Sequence, residues 1–510
     1  MMRYILAHDI GTTGDKATLY DDEGALVRNA FAPYPTVYPR ATWAEQDPEE
    51  WWRALCASTR DVLGGARVPA SEVACVVFSG QMMGVVAVDG AGRPLRDAII
   101  WADQRAVAQI ARVAERIDPR RVYALTGHRL SPSYSAGKML WLRDHEPRAY
   151  DEAAVFLQAK DFLAARLTGV FATDPSDASG TNLYSLTDGD WSPELLDAFD
   201  IPREKLPAIR ASTAVVGETR DAVAAETGLH AGTPVVIGGG DGSCAATGAG
   251  VIRAGVAYNY IGSSSWIGVA TPAPILDPTM RTFTWAHLVP ALFTPTGTMQ
   301  AAGSSYQWAR DELGRDEKRA AETLGLSAYE LMNLQAAQSP PGARGLLYLP
   351  YLMGERSPRW NPEARGAFVG LTIRHTRADM LRAVLEGVTF NLRVILEAFQ
   401  GQGAPIDELR VIGGGARGAV WNTIMADVFG LPVARLSLLE EATSLGAAVA
   451  GGIGVGIWSD FTQVERMVSV ARTTPPDADR HARYDVLYDA FNRTYEALDT
   501  AGVFQTLATF

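Results

Sequence analysis

Short apolar runs separated by turn residues open the chain and predict strands. Residues 3–8, 16–21 and 25–30 each carry apolar or β-branched side chains, with a turn at 22–24 before the third run. Runs of this length between turn residues are typical of strands joined by hairpins. The pattern predicts a β-meander at the start of the first domain.

Apolar residues recur every three or four positions in the second half and predict a long helix at 379–399. The residues that share this spacing are Met380, Val384, Leu385, Val388, Leu392, Ile395 and Phe399. Such spacing places them on one buried helix face. Helices are also expected at 48–63 and 135–145. Strand and helix then alternate over 409–412, 420–429, 432–436 and 444–452, which indicates an α/β fold.

One local arrangement occurs in each half of the chain. A predicted strand at 3–10 runs into Gly11-Thr12-Thr13-Gly14, and another at 256–261 runs into Gly262-Ser263-Ser264-Ser265. Two such turns suggest duplicated domains, which the length of 510 residues also favours. We expect domains at 1–245 and 246–490 and a helical tail at 491–510.

Charge and cysteine content narrow the class of protein. The net charge of -12 argues against a general nucleic-acid binder or a protein of anionic membranes. Cys56, Cys75 and Cys244 lack metal-ligand spacing and fit a reducing compartment without disulfides. Asp9 comes too early for the apolar region of a signal peptide, and no apolar run reaches the ~20 residues of a membrane span. The sequence predicts a cytoplasmic protein that associates with neither nucleic acid nor membrane.

A carboxylate at the end of the first predicted strand is the first candidate for chemistry. Asp9 precedes the turn 11–14, and Lys16 follows that turn. Glycine and hydroxyl residues let a turn approach phosphate oxygens, while a carboxylate can hold a hydrated Mg2+. The turn 262–265 would supply a second phosphate clamp. Either turn alone is also compatible with a plain hairpin, so the interpretation depends on the pair.

A second candidate carboxylate follows the predicted strand 234–237. Asp241 lies in the glycine-rich turn 238–242, ahead of a helix predicted at 243–250. Phosphoryl transfer needs positioning, charge neutralisation and one residue that accepts the proton of the attacking hydroxyl. A catalytic base at Asp241 fits that need. The alternative is that Asp241 only caps the following helix.

A dinucleotide-binding fingerprint is the main rival interpretation. Gly413-Gly414-Gly415-Ala416-Arg417-Gly418 fits G-x-G-x-x-G between a predicted strand and helix, with Glu440 and Glu441 about 20 residues further on. This match alone would favour an NAD-dependent oxidoreductase, but it leaves the paired hydroxyl turns and Asp241 unexplained. A non-catalytic ATP-binding sensor is a third alternative, against which Asp241 argues. The absence of G-x-x-x-x-G-K-[ST] argues against a P-loop kinase.

Nine segments, in order, resemble the FGGY carbohydrate kinases of the actin-like, ribonuclease-H-like ATPase superfamily. They are DIGTTGDKA, AEQDPEEWW, SGQMMG, IIWADQRA, GGGDGS, YIGSSS, LPYLMGERSP, VIGGGARGAVWN and EATSLGAAVAGG. The resemblance implies an α/β protein of two duplicated ribonuclease-H-like domains with a cleft between them. It also implies a transferase that uses ATP and Mg2+ to phosphorylate a hydroxyl of a small ketose or polyol in carbohydrate metabolism.

Within that family the chain is most similar to xylulose kinases, so conversion of D-xylulose to D-xylulose 5-phosphate is the expected reaction. Two positions depart from the xylulose kinase pattern, because Met83 stands in place of a histidine and Gly242 in place of an asparagine. Each change removes a group that would hydrogen-bond the sugar. Ribulose or another pentulose, erythritol and glycerol are therefore alternative substrates. A homodimer is a further expectation of the resemblance.

The resemblance also implies roles for residues at matching positions. Asp9 would help to place Mg2+ through water, and Asp241 would be the catalytic base. The implied contacts to ATP are Thr12, Thr13, Lys16, Gly262, Ser263, Ser264, Gly414, Gly415 and Asn422. The implied contacts to the sugar are Gln81, Met82, Met83, Trp101, Asp103 and Asp241.

Overall fold

Two large mixed sheets organise the chain, one in each half. The computed structural model describes residues 3–438 and 440–510. A six-stranded sheet lies between residues 4 and 240, and a seven-stranded sheet lies between residues 255 and 474. Helices cover both sheets, and the remaining short strands form separate two-stranded sheets.

The strands of the first half are β1 (Tyr4–Ile10), β2 (Gly14–Asp21), β3 (Leu26–Pro33), β4 (Glu45–Gln46), β5 (Val73–Gly80), β6 (Val86–Val88), β7 (Ala98–Ile99), β8 (Val155–Leu157), β9 (Ala172–Thr173), β10 (Tyr184–Ser185), β11 (Asp190–Trp191), β12 (Ala208–Ile209), β13 (Val215–Glu218) and β14 (Pro234–Gly240). The strands of the second half are β15 (Gly255–Ile261), β16 (Ser265–Val269), β17 (Phe283–Ala286), β18 (Phe293–Met299), β19 (Leu347–Leu349), β20 (Ala367–Val369), β21 (Ile406–Ile412), β22 (Val433–Leu436) and β23 (Val470–Thr474).

The helices of the first half are α1 (Pro48–Ala66), α2 (Val107–Arg116), α3 (Pro119–Thr126), α4 (Ser135–His145), α5 (Pro147–Glu152), α6 (Ala159–Thr168), α7 (Pro175–Ser179), α8 (Pro193–Phe199), α9 (Asp221–Thr227) and α10 (Asp241–Gly248). The helices of the second half are α11 (Gly303–Glu312), α12 (Arg315–Leu324), α13 (Ala328–Ala336), α14 (Arg377–Gln400), α15 (Ala419–Phe429), α16 (Ala442–Gly454), α17 (Val464–Met467), α18 (Ala478–Thr500) and α19 (Val503–Leu507).

The two sheets share one strand order. In the first sheet, β3, β2 and β1 are antiparallel neighbours, and β1, β5 and β14 follow as parallel neighbours. In the second, β18, β16 and β15 are antiparallel, and β15, β21 and β22 are parallel. This repetition confirms the predicted duplicated α/β fold.

Most elements predicted from periodicity are present. The opening meander is β1 to β3, and the long amphipathic segment is α14, whose first turn is closed by a capping box between Thr376 and Asp379. In such a box each side chain accepts a hydrogen bond from an otherwise unpaired backbone N–H. The helix predicted at 135–145 is α4, with the same bounds.

One helix of the second half packs on the sheet of the first half. Apolar residues of α16 join a buried cluster with Ile5 of β1, Val77 of β5 and Val236 of β14. The same helix lies directly against α10, where both partners carry glycine at the contact. A Cβ on Gly446 would overlap the Cys244 carbonyl oxygen. Glycine therefore lets these two helices approach more closely than side chains would allow.

The glycine-rich segment 238–240 is not a turn, as the sequence predicted, but the end of β14. Gly238 has a φ of +68°, and the register of β14 against β5 shifts between Val236 and Gly239. After this irregularity Gly239 and Gly240 pair with Ser79 and Gly80 again. The helix α10 consequently begins at Asp241, with no intervening loop.

The predicted domain limits fall inside continuous helices. Residues 245 and 246 both belong to α10, while residues 490 and 491 both belong to α18. The division of the chain into 1–245, 246–490 and a tail at 491–510 stays a prediction. Among the described residues, no helix is long and apolar enough to cross a membrane.

Replacing Gly238 with alanine should destabilise the fold strongly. Its φ is +68°, and an added Cβ would overlap the carbonyl oxygen of Phe78 in the neighbouring strand. We expect a loss of more than about 3 kcal/mol in the free energy of unfolding, because strain and overpacking add. Chemical denaturation followed by circular dichroism measures the change.

The matched control for this prediction is Gly64→Ala in α1. No atom lies within 4 Å of the Cβ position of Gly64. An alanine inside a helix is more favourable than glycine by about 0.5–1 kcal/mol. Equal stability of the Gly238 and Gly64 variants would contradict the account of the β14 irregularity.

Candidate functional site

The carboxyl ends of three parallel strands bring the two candidate carboxylates together. Asp9 near the end of β1 is in register with Ser79 of β5. Gly240 at the end of β14 is in register with Gly80 of β5, and Asp241 follows at once. Ligands of open α/β sheets bind at this edge. The sequence predicted both carboxylates at strand ends, and the topology places those ends side by side.

Side chains from both halves of the chain hold the Asp9 carboxylate. Ser79 Oγ donates to Asp9 Oδ1 over 2.9 Å, and Thr443 Oγ1 of α16 donates to Oδ2 over 2.6 Å. Burial raises the pKa of Asp9, and these two hydrogen bonds oppose that effect. The charged form of Asp9 therefore benefits from any cation that approaches it.

Asp241 is the first residue of α10, and the N-cap is Gly240. The alternative that Asp241 serves as the N-cap is therefore wrong. Its Oδ1 accepts the backbone N–H of Gly242 over 2.7 Å. Burial, and secondly the charge of Asp9, raise the pKa of Asp241 to about 7. A carboxyl group with such a pKa exchanges protons near neutrality, as general acid–base catalysis requires.

The turn after β1 is fixed by hydrogen bonds to its backbone and to one hydroxyl. Gln46 Nε2 donates to the Thr12 carbonyl over 2.7 Å, and Trp101 Nε1 donates to Thr12 Oγ1 over 2.9 Å. Thr13 is exposed at the tip of the turn. Lys16 Nζ reaches across to the carbonyl oxygen of Glu440 over 2.8 Å. The turn is thus rigid at its base and open at its tip.

Three of the residues implied to contact sugar line the same region. Gln81 Nε2 donates to Gln46 Oε1 over 2.8 Å and weakly to the Gly11 carbonyl over 3.3 Å. Met82 is buried, and a Cβ added to Gly242 would lie 3.9 Å from its sulfur. Met83 has a φ of +64°, in the left-handed region. Such a conformation is costly for a long side chain and must be held by its surroundings.

A buried lysine holds the Met83 backbone. Lys138 is fully buried, and its Nζ donates to the Met83 carbonyl over 2.7 Å. Burial lowers the pKa of Lys138 to about 7. Sequence reasoning did not single out Lys138, since nothing in the helical pattern of α4 distinguishes it from a surface lysine.

Asp103, for which the resemblance implies a sugar contact, has both carboxylate oxygens engaged by protein groups. Its side chain is fully buried, and Arg105 Nε lies 3.0 and 2.9 Å from its two oxygens. The N–H of Ala44 donates to Asp103 Oδ2 over 2.7 Å. Arg105 also stacks on Trp43, with 3.9 Å from its guanidinium carbon to the ring centroid, so the Asp103–Arg105 pair is part of the buried packing of the first half.

An aromatic group from distant segments packs beside the two methionines. A buried cluster joins Met82 to Tyr134, Phe283 and Trp285, and Met83 packs against it. His128 Nδ1 lies 2.9 Å from the Tyr134 hydroxyl, and burial lowers the pKa of His128 to about 3. His128 is therefore neutral. Sequence reasoning missed this wall, because only the folded chain brings residues 128–134 to residues 283–285.

A cavity lies in the second half, at the carboxyl ends of β15 and β21. Its volume is about 600 Å3, within the range of small-molecule pockets. Of the residues implied to contact ATP, those that line it are Gly262, Ser263, Gly414 and Gly415. Lining residues that the sequence did not point to include Tyr306, Gln307, Tyr329, Asn333, Arg417 and Trp421.

Asn422 does not line this cavity, which corrects the contact implied for it. The side chain is buried under the turn Gly414–Arg417, where Nδ2 donates to the Ala416 carbonyl over 2.9 Å. Asn422 therefore shapes the turn from behind. Ser264 is likewise outside the cavity lining, and its carbonyl accepts the N–H of Gly262 over 2.9 Å.

Backbone contacts fix the turn after β15. The N–H groups of Ala302 and Gly303 donate to the carbonyls of Ser263 and Gly262, each over 3.0 Å. A Cβ on Gly303 would overlap the Gly262 carbonyl oxygen. The turn is therefore held against the start of α11 in a single conformation, with Ser263 exposed to the cavity.

Metal binding at this site would depend on few protein ligands. Within residues 3–438 and 440–510, no three His, Cys, Asp or Glu side chains group as a metal site. The charge of Asp9 nevertheless helps to raise the pKa of the nearby Asp241, so a cation close to both carboxylates would be favoured. Mg2+ in phosphoryl-transfer sites is commonly held by one or two carboxylates together with phosphate oxygens. The residues present fit such a cation.

Comparisons with known proteins agree with this geometry over nearly the whole chain. Residues 4–248 match the N-terminal domain, and residues 257–455 the C-terminal domain, of the FGGY family of carbohydrate kinases. A xylulose kinase of Bacillus subtilis is 32% identical, over 97% of both chains. A gluconokinase of the same organism is 31% identical, over 96% of this chain and 95% of its own.

A solved structure also resembles the chain over nearly its whole length. The crystal structure of xylulose kinase from Rhodospirillum rubrum superposes with a TM-score of 0.90 at 30% identity, covering 99% of this chain and 100% of its own. The chain belongs to the FGGY family of carbohydrate kinases and is an ATP-dependent kinase of that family.

Proposed function

We propose that this kinase transfers the γ-phosphoryl group of ATP to a hydroxyl of a small ketose, D-xylulose first, with Asp241 as the base. The observation that carries the proposal is a carboxyl group with a pKa raised to about 7 at the shared edge of three parallel strands. Relatives named xylulose kinase support the choice of sugar.

In the proposed reaction the sugar lies beside Asp241 and ATP occupies the 600 Å3 cavity. The sugar hydroxyl attacks the γ-phosphorus, its proton passes to Asp241, and ADP leaves. The N–H of Gly242 bonds one Asp241 oxygen and orients the other. A base in this position contributes by accepting the proton as the new P–O bond forms.

Fixed donors around the triphosphate would supply the rest of the catalysis. We assign the Gly262–Ser263 turn, the tip at Thr12 and Thr13, and Lys16 to phosphate contacts. Both turns are held by backbone hydrogen bonds, so they are ordered before substrate binds. Preorganised donors stabilise developing charge without paying for reorganisation. Gly414 and Gly415 would lie along the adenosine.

Mg2+ fits beside Asp9, which would hold it through water. The cation would neutralise phosphate charge when it is bound. What the chain itself contributes is the placement of the carboxylate, which Ser79 and Thr443 hold from the two halves.

The sugar pocket favours a substrate that tolerates apolar neighbours. Gln81 has an unpartnered buried Oε1 that could accept a hydroxyl, and Trp101 lies next to the Thr12 turn. Met83 and Gly242, by contrast, offer no side-chain hydrogen bond. A substrate hydroxyl left unpaired on burial costs about 1–3 kcal/mol. Other pentuloses such as ribulose, and the polyols erythritol and glycerol, are therefore the alternative substrates.

No observation favours the oxidoreductase alternative. That alternative leaves the neighbouring carboxylates Asp9 and Asp241 without a role. Asp241 argues against a sensor, since ATP binding alone does not need a base. The cytoplasmic location and the homodimer stay predictions.

Asp241→Asn should abolish phosphoryl transfer and leave nucleotide binding intact. The amide keeps the shape of the side chain but cannot accept a proton, so kcat with D-xylulose should fall by at least about 10²–10⁴-fold. Coupled ADP release measures kcat, and calorimetric titration measures the affinity for ATP. Since Asp241 is not among the residues lining the large cavity, that affinity should change little.

The control variant is Asp61→Asn, an exposed carboxylate of α1 paired with Arg28 on the surface. It should keep full activity. Retained turnover in Asp241→Asn would refute the assignment of the base.

The rate should increase with pH as Asp241 ionises. Only the carboxylate accepts a proton, so kcat/KM, which reports the free enzyme, should rise as pH passes through about 7 and fall about tenfold per unit below that. The midpoint of the pH dependence of kcat should lie at a lower pH than that of kcat/KM. The reason is that cation charge in the complex with Mg-ATP favours the ionised form of Asp241. Initial rates across pH test both statements.

A second buried carboxyl group requires a control. Burial also raises the pKa of Glu355 to about 7, although its Oε1 accepts the N–H groups of Gln300 and Arg356. In Glu355→Gln, kcat/KM should still fall below about pH 7 as it does in the unmodified protein. If this fall disappears in the variant, the pH dependence belongs to Glu355 and not to Asp241.

A further inference from the structure

A buried group of four charges lies behind the strand end that carries Asp241. Lys160, Asp161, Asp174 and Asp177 are all essentially inaccessible to solvent. Lys160 Nζ lies 2.6 Å from Asp161 Oδ1, 3.0 Å from Asp174 Oδ1 and 3.2 Å from Asp177 Oδ2. Burying ionised groups is expensive, and such clusters are poor evidence for stability alone.

One member of the group is connected to the active-site strand by a hydroxyl. Asp174 Oδ2 accepts the hydroxyl of Ser176 over 2.6 Å and that of Ser212 over 2.8 Å. Ser176 Oγ in turn accepts the backbone N–H of Gly240 over 2.9 Å. Gly240 is the N-cap of α10, and Asp241 follows it. A continuous path runs from Lys160 to the residue before the base.

The donors of this path converge on the Asp174 carboxylate from both ends. The Gly240 N–H donates to Ser176, the Ser176 O–H donates to Asp174, and the Lys160 ammonium neutralises Asp174. Each charged or polarised neighbour strengthens the next hydrogen bond in a low-dielectric interior. The Gly240 N–H is therefore bound more firmly than by an isolated serine.

Close packing restricts the same strand end. A Cβ on Gly239 would lie 2.9 Å from Ser176 Oγ, so α7 rests directly on the backbone of β14. The φ of +68° at Gly238 has already turned the strand out of regular register. Beyond the irregularity, Gly239 and Gly240 are held on one side by pairing with β5, and the Gly240 N–H is held by Ser176.

We propose that the Lys160–Asp174–Ser176 path is a positioning device that fixes Gly240 and thereby aims the Asp241 carboxylate at the substrate hydroxyl. This inference rests on the proposed role of Asp241 as the base. The three residues do not touch substrate; they act through the backbone.

Ser176→Ala removes the acceptor of the Gly240 N–H. We expect kcat with the sugar to fall about 10–100-fold, since small misplacements of a catalytic group have effects of that order. The KM for ATP should stay within about 2-fold, because the nucleotide cavity is built by other residues. Hydrogen exchange followed by mass spectrometry should show faster exchange in the peptide that covers 238–246.

The matched control is Ser212→Ala, which removes a hydrogen bond to the same Asp174 oxygen but none to Gly240. It should retain kcat within about 2-fold and leave exchange at 238–246 unchanged, because the Ser176 connection persists. Asp174→Asn gives a second variant should Ser176→Ala fail to fold. Its side chain keeps its shape but loses the charge, so kcat and exchange should change in the same direction.

Equal kcat and equal exchange in Ser176→Ala and Ser212→Ala would overturn the proposal, as would normal kcat in a folded Asp174→Asn. If instead Asp241 is not the base, Asp241→Asn would remain active, which distinguishes an error in the proposed function from an error in this positioning proposal. Faster exchange at 238–246 without any loss of kcat would show that Ser176 anchors the strand but does not aim the base, which also contradicts the inference.

Discussion

The close approach of α10 and α16 is the constraint on which the active cleft depends. Gly248 and Gly446 allow each helix to lie against the backbone of the other, where a Cβ would overlap a carbonyl oxygen. Asp241 begins the first helix, and Thr443 on the second donates to Asp9. This glycine-lined contact therefore joins the two halves beside the carboxylates, whose own positions are set by the pairing of β1, β5 and β14. Bulkier residues would separate the helices and withdraw Thr443 from Asp9.

Sequence periodicity predicted the sheets and the strand-end carboxylates well, because burial imposes regular spacing on strands and helices. It failed where a contact is decided by partners far along the chain. Asp103 seemed available to substrate, but Arg105 and the Ala44 backbone take up its oxygens. The glycines at 238–240 resembled a turn, whereas pairing with β5 keeps them in the sheet. Tyr329 and Trp421 reach the nucleotide cavity only through folding.

The two sides of the cleft differ in how they are built. The side proposed for the nucleotide presents turns whose backbone is held by other backbone groups and by a few side chains behind them, among them Gln46 and Asn422. The sugar side depends on side chains: Met82 and Met83 lie against an aromatic wall, and Lys138 holds Met83 in a left-handed conformation. Substitutions in this aromatic wall should therefore change which acceptor is phosphorylated, while phosphate binding stays the same.

The central claim is that this cleft transfers phosphate from ATP to a small ketose. The most direct measurement is coupled ADP release by the purified protein with Mg-ATP against D-xylulose, L-xylulose, D- and L-ribulose, erythritol, xylitol, glycerol and L-fuculose. The account predicts one strong responder among the pentuloses, D-xylulose first. Bound ATP with no ADP release on any of these acceptors would contradict it.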